Sequence, residues 1–152
     1  MHDDLLGELS EDEHGFLKGS VTYEGRQVSL QLMNDDEPME ACLALARLVV
    51  VALPEIDRKG KAGAADQLLS EYNESWRQFI RADGQGGFVE VSNPAIAAEE
   101  FKTAIRLASV TIIGDEMAQL IYDDGALFAG HAIVVASFDG ATFADPHATL
   151  TG

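Results

Sequence analysis

Leu17-Lys18-Gly19-Ser20-Val21-Thr22-Tyr23-Glu24-Gly25-Arg26-Gln27-Val28-Ser29-Leu30-Gln31-Leu32-Met33 decides how the chain folds. Leu17, Gly19, Val21 and Tyr23 fall on one side, with Lys18, Ser20, Thr22 and Glu24 on the other. Val28, Leu30 and Leu32 alternate in the same way with Ser29, Gln31 and Met33. A period of two with one polar face is the mark of a half-buried strand. Glu24-Gly25 between the two runs is a tight-turn signal, so the pair reads as a hairpin. A shorter strand around Leu5 to Leu9 is placed beside it.

On the C-terminal side the period changes. Asp35 to Glu37 precede Pro38, which suits the first position of a helix. Met39 to Leu53 is apolar on nearly every side and is predicted to be a buried helix, ended by Pro54. Lys59-Gly60-Lys61-Ala62-Gly63 reads as a loop. Ala65, Leu68, Leu69, Tyr72, Trp76, Phe79 and Ile80 then recur every three or four residues, which predicts a second, amphipathic helix. Asp83-Gly84-Gln85-Gly86-Gly87 is a turn. It lacks the Lys-Ser or Lys-Thr of a phosphate-binding loop. Asn93-Pro94 reads as the cap and first position of a third helix running to about Ile105.

Strands return after it. Val110–Ile113 and Ala118–Tyr122 are short strands, and Asp123-Asp124-Gly125 is a hairpin turn. Leu127 to Phe138 is apolar on both faces, as in a central strand or one at a subunit interface. The order is strands, helices, strands. It predicts an α+β domain spanning residues 1–152: an antiparallel sheet, built from an N-terminal hairpin and a C-terminal meander, with about three helices packed on it.

The 152 residues suffice for a single core, but the charge is unusual. Ten Lys and Arg against 26 Asp and Glu give a net −16. Residues 1–40 carry net −9, residues 41–82 net +1 and residues 83–152 net −8. Such a chain is unsuited to a phosphate backbone or an anionic membrane surface. The runs Glu11-Asp12-Glu13 and Asp35-Asp36-Glu37 are candidates for an acidic interface with a basic protein, beside their plain reading as solvated loops. One cysteine, Cys42, excludes an intramolecular disulfide, and the acidic N-terminus is unlike a signal peptide, so a cytoplasmic location is expected. His2, His14, His131 and His147 show no zinc spacing, and neither a metal nor a cofactor is expected.

Tyr122-Asp123-Asp124-Gly125-Ala126-Leu127-Phe128-Ala129-Gly130-His131 is the most distinctive string. It resembles a family of uncharacterised bacterial proteins of unknown function with an Asp-Asp-Gly-x-Leu-Phe-x-Gly-His motif. Ala129 stands where that family usually has an aromatic. Gly7-Glu8, Glu24-Gly25, Glu74-Ser75-Trp76, Glu100-Phe101 and Gly152 look similar as well. Some similar families include immunity proteins encoded beside toxins. The resemblance therefore implies a non-catalytic protein acting by protein–protein interaction, in its sharpest form an inhibitor of a basic toxin, to which an acidic surface would be steered. The alternative is an enzyme or small-molecule binder with a pocket around His131, Asp123 and Asp124, flanked by Tyr122 and Phe128. A homo-oligomer pairing through an open sheet edge is a third expectation.

Overall fold

The computed structural model describes residues 1–152. Three minimal strands open the chain: β1 (His2–Asp3), β2 (Gly7–Glu8) and β3 (Ser10–Glu11). The hairpin follows as β4 (Leu17–Tyr23) and β5 (Arg26–Met33), with Ser20 opposite Ser29 and Val21 opposite Val28. Then come α1 (Met39–Val51), α2 (Leu53–Glu71), a π-helical turn (Tyr72–Trp76), β6 (Gln78–Ala82), β7 (Phe88–Ser92) and α3 (Ala98–Ala104). The meander β8 (Arg106–Ile113), β9 (Met117–Asp123), β10 (Ala132–Ser137) and β11 (His147–Thr151) closes the fold.

The main sheet runs β11-β10-β9-β8-β5-β4-β3. The α+β class and the three helices are as expected, but the sheet is mixed rather than antiparallel. β5 and β8 pair in parallel, Leu30 opposite Val110 and Leu32 opposite Ile112. A parallel neighbour requires the chain to cross back over the sheet, and the helical middle of the chain makes that crossover. Hydrophobic periodicity says which face of a strand is buried. It does not say which strands are neighbours.

One face of the sheet carries Leu17, Val28, Leu30, Leu32, Leu107, Val110, Ile112, Leu120, Tyr122, Ile133 and Val135 into a continuous core with α1, α2 and α3. The opposite face carries Ser20, Thr22, Gln27, Ser29 and Thr111 to solvent. There Ser20 donates to Gln27 Oε1 and Gln27 donates to Thr22, at 3.0 and 2.9 Å.

Four local expectations are corrected. Lys59–Gly63 lies inside α2 and is not a loop. A Cβ on Gly60 would lie 2.6 Å from Tyr122 Oη and 2.7 Å from Leu120 Cδ1, so glycine lets the helix sit directly on β9. The propensity cost of about 1 kcal/mol is offset by that packing. The second helix stops at Glu71, and Phe79 and Ile80 belong to a strand, as suits an aromatic and a β-branched residue. With β7 they form a separate two-stranded hairpin around the Asp83–Gly87 turn. The third helix starts at Ala98, where the Glu100 carboxylate accepts the Ala97 N–H. Asn93 is instead tied to the hairpin base, donating its N–H to the Arg77 carbonyl. The long apolar strand is only 132–137, because residues 124–131 form a compact loop.

Candidate functional site

The registers place both acidic runs at one end of the sheet. Glu11, Leu17, Leu32, Ile112, Ala118 and Ser137 form one row across six neighbouring strands. Every connection leaving the sheet just beyond that row is acidic. Glu11-Asp12-Glu13 follow β3, Asp35-Asp36-Glu37 follow β5, Asp115-Glu116 turn β8 into β9, and Asp139 follows β10. Six strands at about 4.8 Å give this acidic end a breadth of roughly 24 Å. Gly114 packs against Glu37 and Asp35, and the Gly140 N–H donates to the Glu116 carbonyl at 2.7 Å, so the loops touch.

The acids at this end divide by chemistry. Asp12 is partly buried and accepts the N–H groups of His14 and Phe16, with Lys18 3.2 Å away. Asp139 accepts the Ser137 hydroxyl and the Phe143 N–H, and these bonds, the hydroxyl first, hold its carboxyl below the usual carboxylate range. Glu11, Glu13, Asp35, Asp36 and Glu37 are exposed. Asp35 and Asp36 both have left-handed backbones, φ 50° and 66°. Aspartate enters this region more readily than most non-glycine residues. Phe138 follows β10, at the edge of the row farthest from Glu11, and is 64% exposed.

The string from Tyr122 to His131 serves the core. Asp124 is buried, and its carboxylate accepts the N–H groups of Ala126, Phe128 and Gly130 at 2.8–3.1 Å. It thereby holds a loop in which Gly125, Ala126, Ala129 and Gly130 all have positive φ. Asp123 accepts the Gly125 N–H and borders a surface concavity of about 500 Å³ with Arg26 and Arg106. Phe128 is fully buried and meets Tyr72, Trp76 and Phe101 edge-on at 5.5–6.1 Å. The π-helical turn aims Tyr72 and Trp76 at it. His131 is half-buried, edge-on to Trp76 at 5.5 Å, with Nδ1 3.3 Å from the Thr151 carbonyl. His131 does not line the concavity beside Asp123.

Tyr122 belongs to a network the sequence reading missed. Its hydroxyl donates to Asp57 Oδ1 at 2.7 Å, and the Tyr23 hydroxyl donates to Oδ2 at 2.8 Å. Lys61 Nζ is 3.9 Å from the same carboxylate. Burial, reinforced by the Asp57 carboxylate, pushes both tyrosines well above their ordinary pKa. The network ties α2 to β4 and β9. A signal was present: Asp57 shares the apolar stripe of Leu53, Ile56, Gly60 and Ala64, and an acid on such a stripe needs a buried partner.

No three of the His, Cys, Asp and Glu side chains converge as metal ligands. No helix is long and apolar enough to cross a membrane. No curated protein and no solved structure matches the chain. Over residues 3–145, nearly its whole length, the chain matches and belongs to the family described as uncharacterized protein conserved in bacteria (DUF2262).

Proposed function

We propose that this protein is a non-catalytic binding protein of the bacterial cytoplasm that docks a basic protein on the acidic end of its sheet, as an immunity protein docks a toxin. One observation carries the reading. The topology brings two acidic runs to one end of the sheet, adds Asp115-Glu116 and Asp139, and leaves Phe138 bare at the edge of that row. An acidic field accelerates encounter with a basic partner, and an exposed aromatic ring at its edge supplies affinity that charge alone does not. The Tyr122–His131 string supports this assignment from the other side. Asp124, Phe128 and Tyr122 are committed to internal contacts, which leaves the loop as a scaffold.

The test is capture from a lysate of the cells of origin at about 50 and 500 mM salt, where the screening length falls from over 10 Å to under 5 Å. The expected result is one basic protein, released at high salt. It should be lost when Asp35→Asn, Asp36→Asn, Glu37→Gln and Phe138→Ala are combined. It should be retained when Glu99→Gln and Glu100→Gln neutralise acids on α3. Retention indifferent to the first set, or no partner at either salt, refutes the proposal.

A further inference from the structure

The β6–β7 hairpin stands apart from the main sheet, and its strands pack chiefly on each other. Two-stranded hairpins are marginal on their own in water. This one nevertheless exposes Phe79 (45%), Ile80 (66%), Phe88 (77%) and Val89 (40%), two on each face. Its base is firmly tied. Asn73 accepts the Ile96 N–H and donates to the Ile96 carbonyl, while Arg77 donates to the carbonyls of Asn73 and Asn93. The body therefore holds out an ordered apolar ribbon whose edges no other strand covers.

The edge chemistry is readable. Asn93 donates to the Arg77 carbonyl at the base, and Asp83 donates to the Gly87 carbonyl at the tip. Antiparallel pairs alternate between hydrogen-bonded and not, so the inward-bonded residues of β6 are Arg77, Phe79, Arg81 and Asp83. The N–H and C=O groups of Gln78, Ile80 and Ala82 point outward. No proline, lysine or bulge blunts this edge, although these are the usual guards of an open strand.

We infer that two copies of the chain join through β6, antiparallel about Ile80, into a four-stranded sheet β7-β6-β6-β7. In this register Ile80 faces its own copy, and Gln78 faces Ala82 of the second copy. All the outward donors and acceptors of both strands are matched. On one face Arg81 lies across from Phe79 of the second copy, a cation–π pair formed twice. The other edge is excluded by charge. Pairing β7 to itself about its centre would set Glu90 directly against Glu90, and like charges opposite one another destabilise a sheet. The stretch from Arg77 to Asn93 is neutral within a chain of net −16, two arginines against Asp83 and Glu90. Two such bodies approach each other most easily here.

The test is sedentimentation equilibrium of the full chain from about 5 to 500 µM, a span that covers a weak self-association. The expected mass climbs from 16.3 kDa towards twice that value. The climb should strengthen with added salt, because screening relieves repulsion between the acidic bodies. Binding of a basic partner has the opposite salt dependence. Ile80→Pro removes one outward N–H without touching the inner ladder and should weaken the dimer at least tenfold. Glu90→Pro, on the opposite edge, should change it less than threefold. In a separate arm, Ile80→Cys should give an interchain disulfide under mild oxidation, and Glu90→Cys should not. A monomer throughout the range, a dimer indifferent to Ile80→Pro, or cross-linking through Glu90→Cys overturns the inference. If Ile80→Pro fails to fold, the cysteine pair decides alone.

Discussion

Gly60→Ala is a usually stabilising substitution that this structure turns into a damaging one. In an exposed helix interior, alanine gains about 1 kcal/mol over glycine. At Gly60 the new methyl group would sit 2.6 Å from Tyr122 Oη and 2.7 Å from Leu120 Cδ1. Forcing such a group into a packed core costs about 1–3 kcal/mol. Displacing the Tyr122 hydroxyl also weakens its 2.7 Å bond to the Asp57 carboxylate, and a bond of that kind contributes about 1.5–3 kcal/mol. The net expectation is a loss of about 3 kcal/mol, or roughly 6–12 °C in Tm for a chain this size. Tyr122→Phe alone should cost about 1.5–3 kcal/mol through the same bond. The two changes should be strongly non-additive, because removing the hydroxyl removes the nearest obstacle to the methyl group. Urea unfolding of the four chains in this cycle measures the coupling. A Gly60→Ala chain more stable than the parent, or strict additivity, would refute the close-approach argument.

Three further outcomes follow from the geometry. Tyr23 and Tyr122 have folded-state pKa values raised above the ordinary 10.0. Their contribution to stability is therefore complete below pH 10 and declines as pH rises beyond it, where only the unfolded chain ionises. Tyrosinate absorbance should show these two rings titrating only as the protein unfolds, and ready ionisation near pH 10 with the fold intact would count against the network. Burial pushes the Cys42 thiol up to about 11, so a thiol-specific reagent near neutral pH should label it only after denaturation. Gly125→Ala would overlap the Ala104 carbonyl oxygen at a backbone of φ +59°, and Asp124→Ala would strip three N–H groups of their acceptor. Each should destabilise by at least about 2 kcal/mol in chemical denaturation, with altered Trp76 fluorescence as the Phe128 loop loosens.

The parts legible in the sequence were those with a clean local period. Val28, Leu30 and Leu32 alternate with polar neighbours, and Glu24-Gly25 turns the chain as expected. Gly60 and Gly63 misled because glycine is a poor helix former in isolation, while their use here depends on Tyr122, Leu120 and Pro146, which are distant in sequence. Phe79 and Ile80 misled because they continue the helical spacing of Tyr72 and Trp76. The π-helical turn and the Asn73 and Arg77 bonds end the helix before that spacing can matter. The acidic runs were visible as runs. Their meeting at one end of the sheet follows from the β3–β4–β5 meander, whereas the addition of Asp115-Glu116 and Asp139 rests on the β5–β8 pairing, which no local pattern encodes.

That pairing also governs how the chain comes together. β3 to β5 close through connections of two to five residues and β8 to β11 through connections of three to nine, so each half can form from contacts near in sequence. The seam between them joins strands separated by residues 34–105, and its closure entropy is borne only once the helices have condensed. The two half-sheets are thus expected to be early events and the seam a late one. Stretching the protein from residues on opposite sides of the seam would part it there, dividing the acidic end into two smaller clusters.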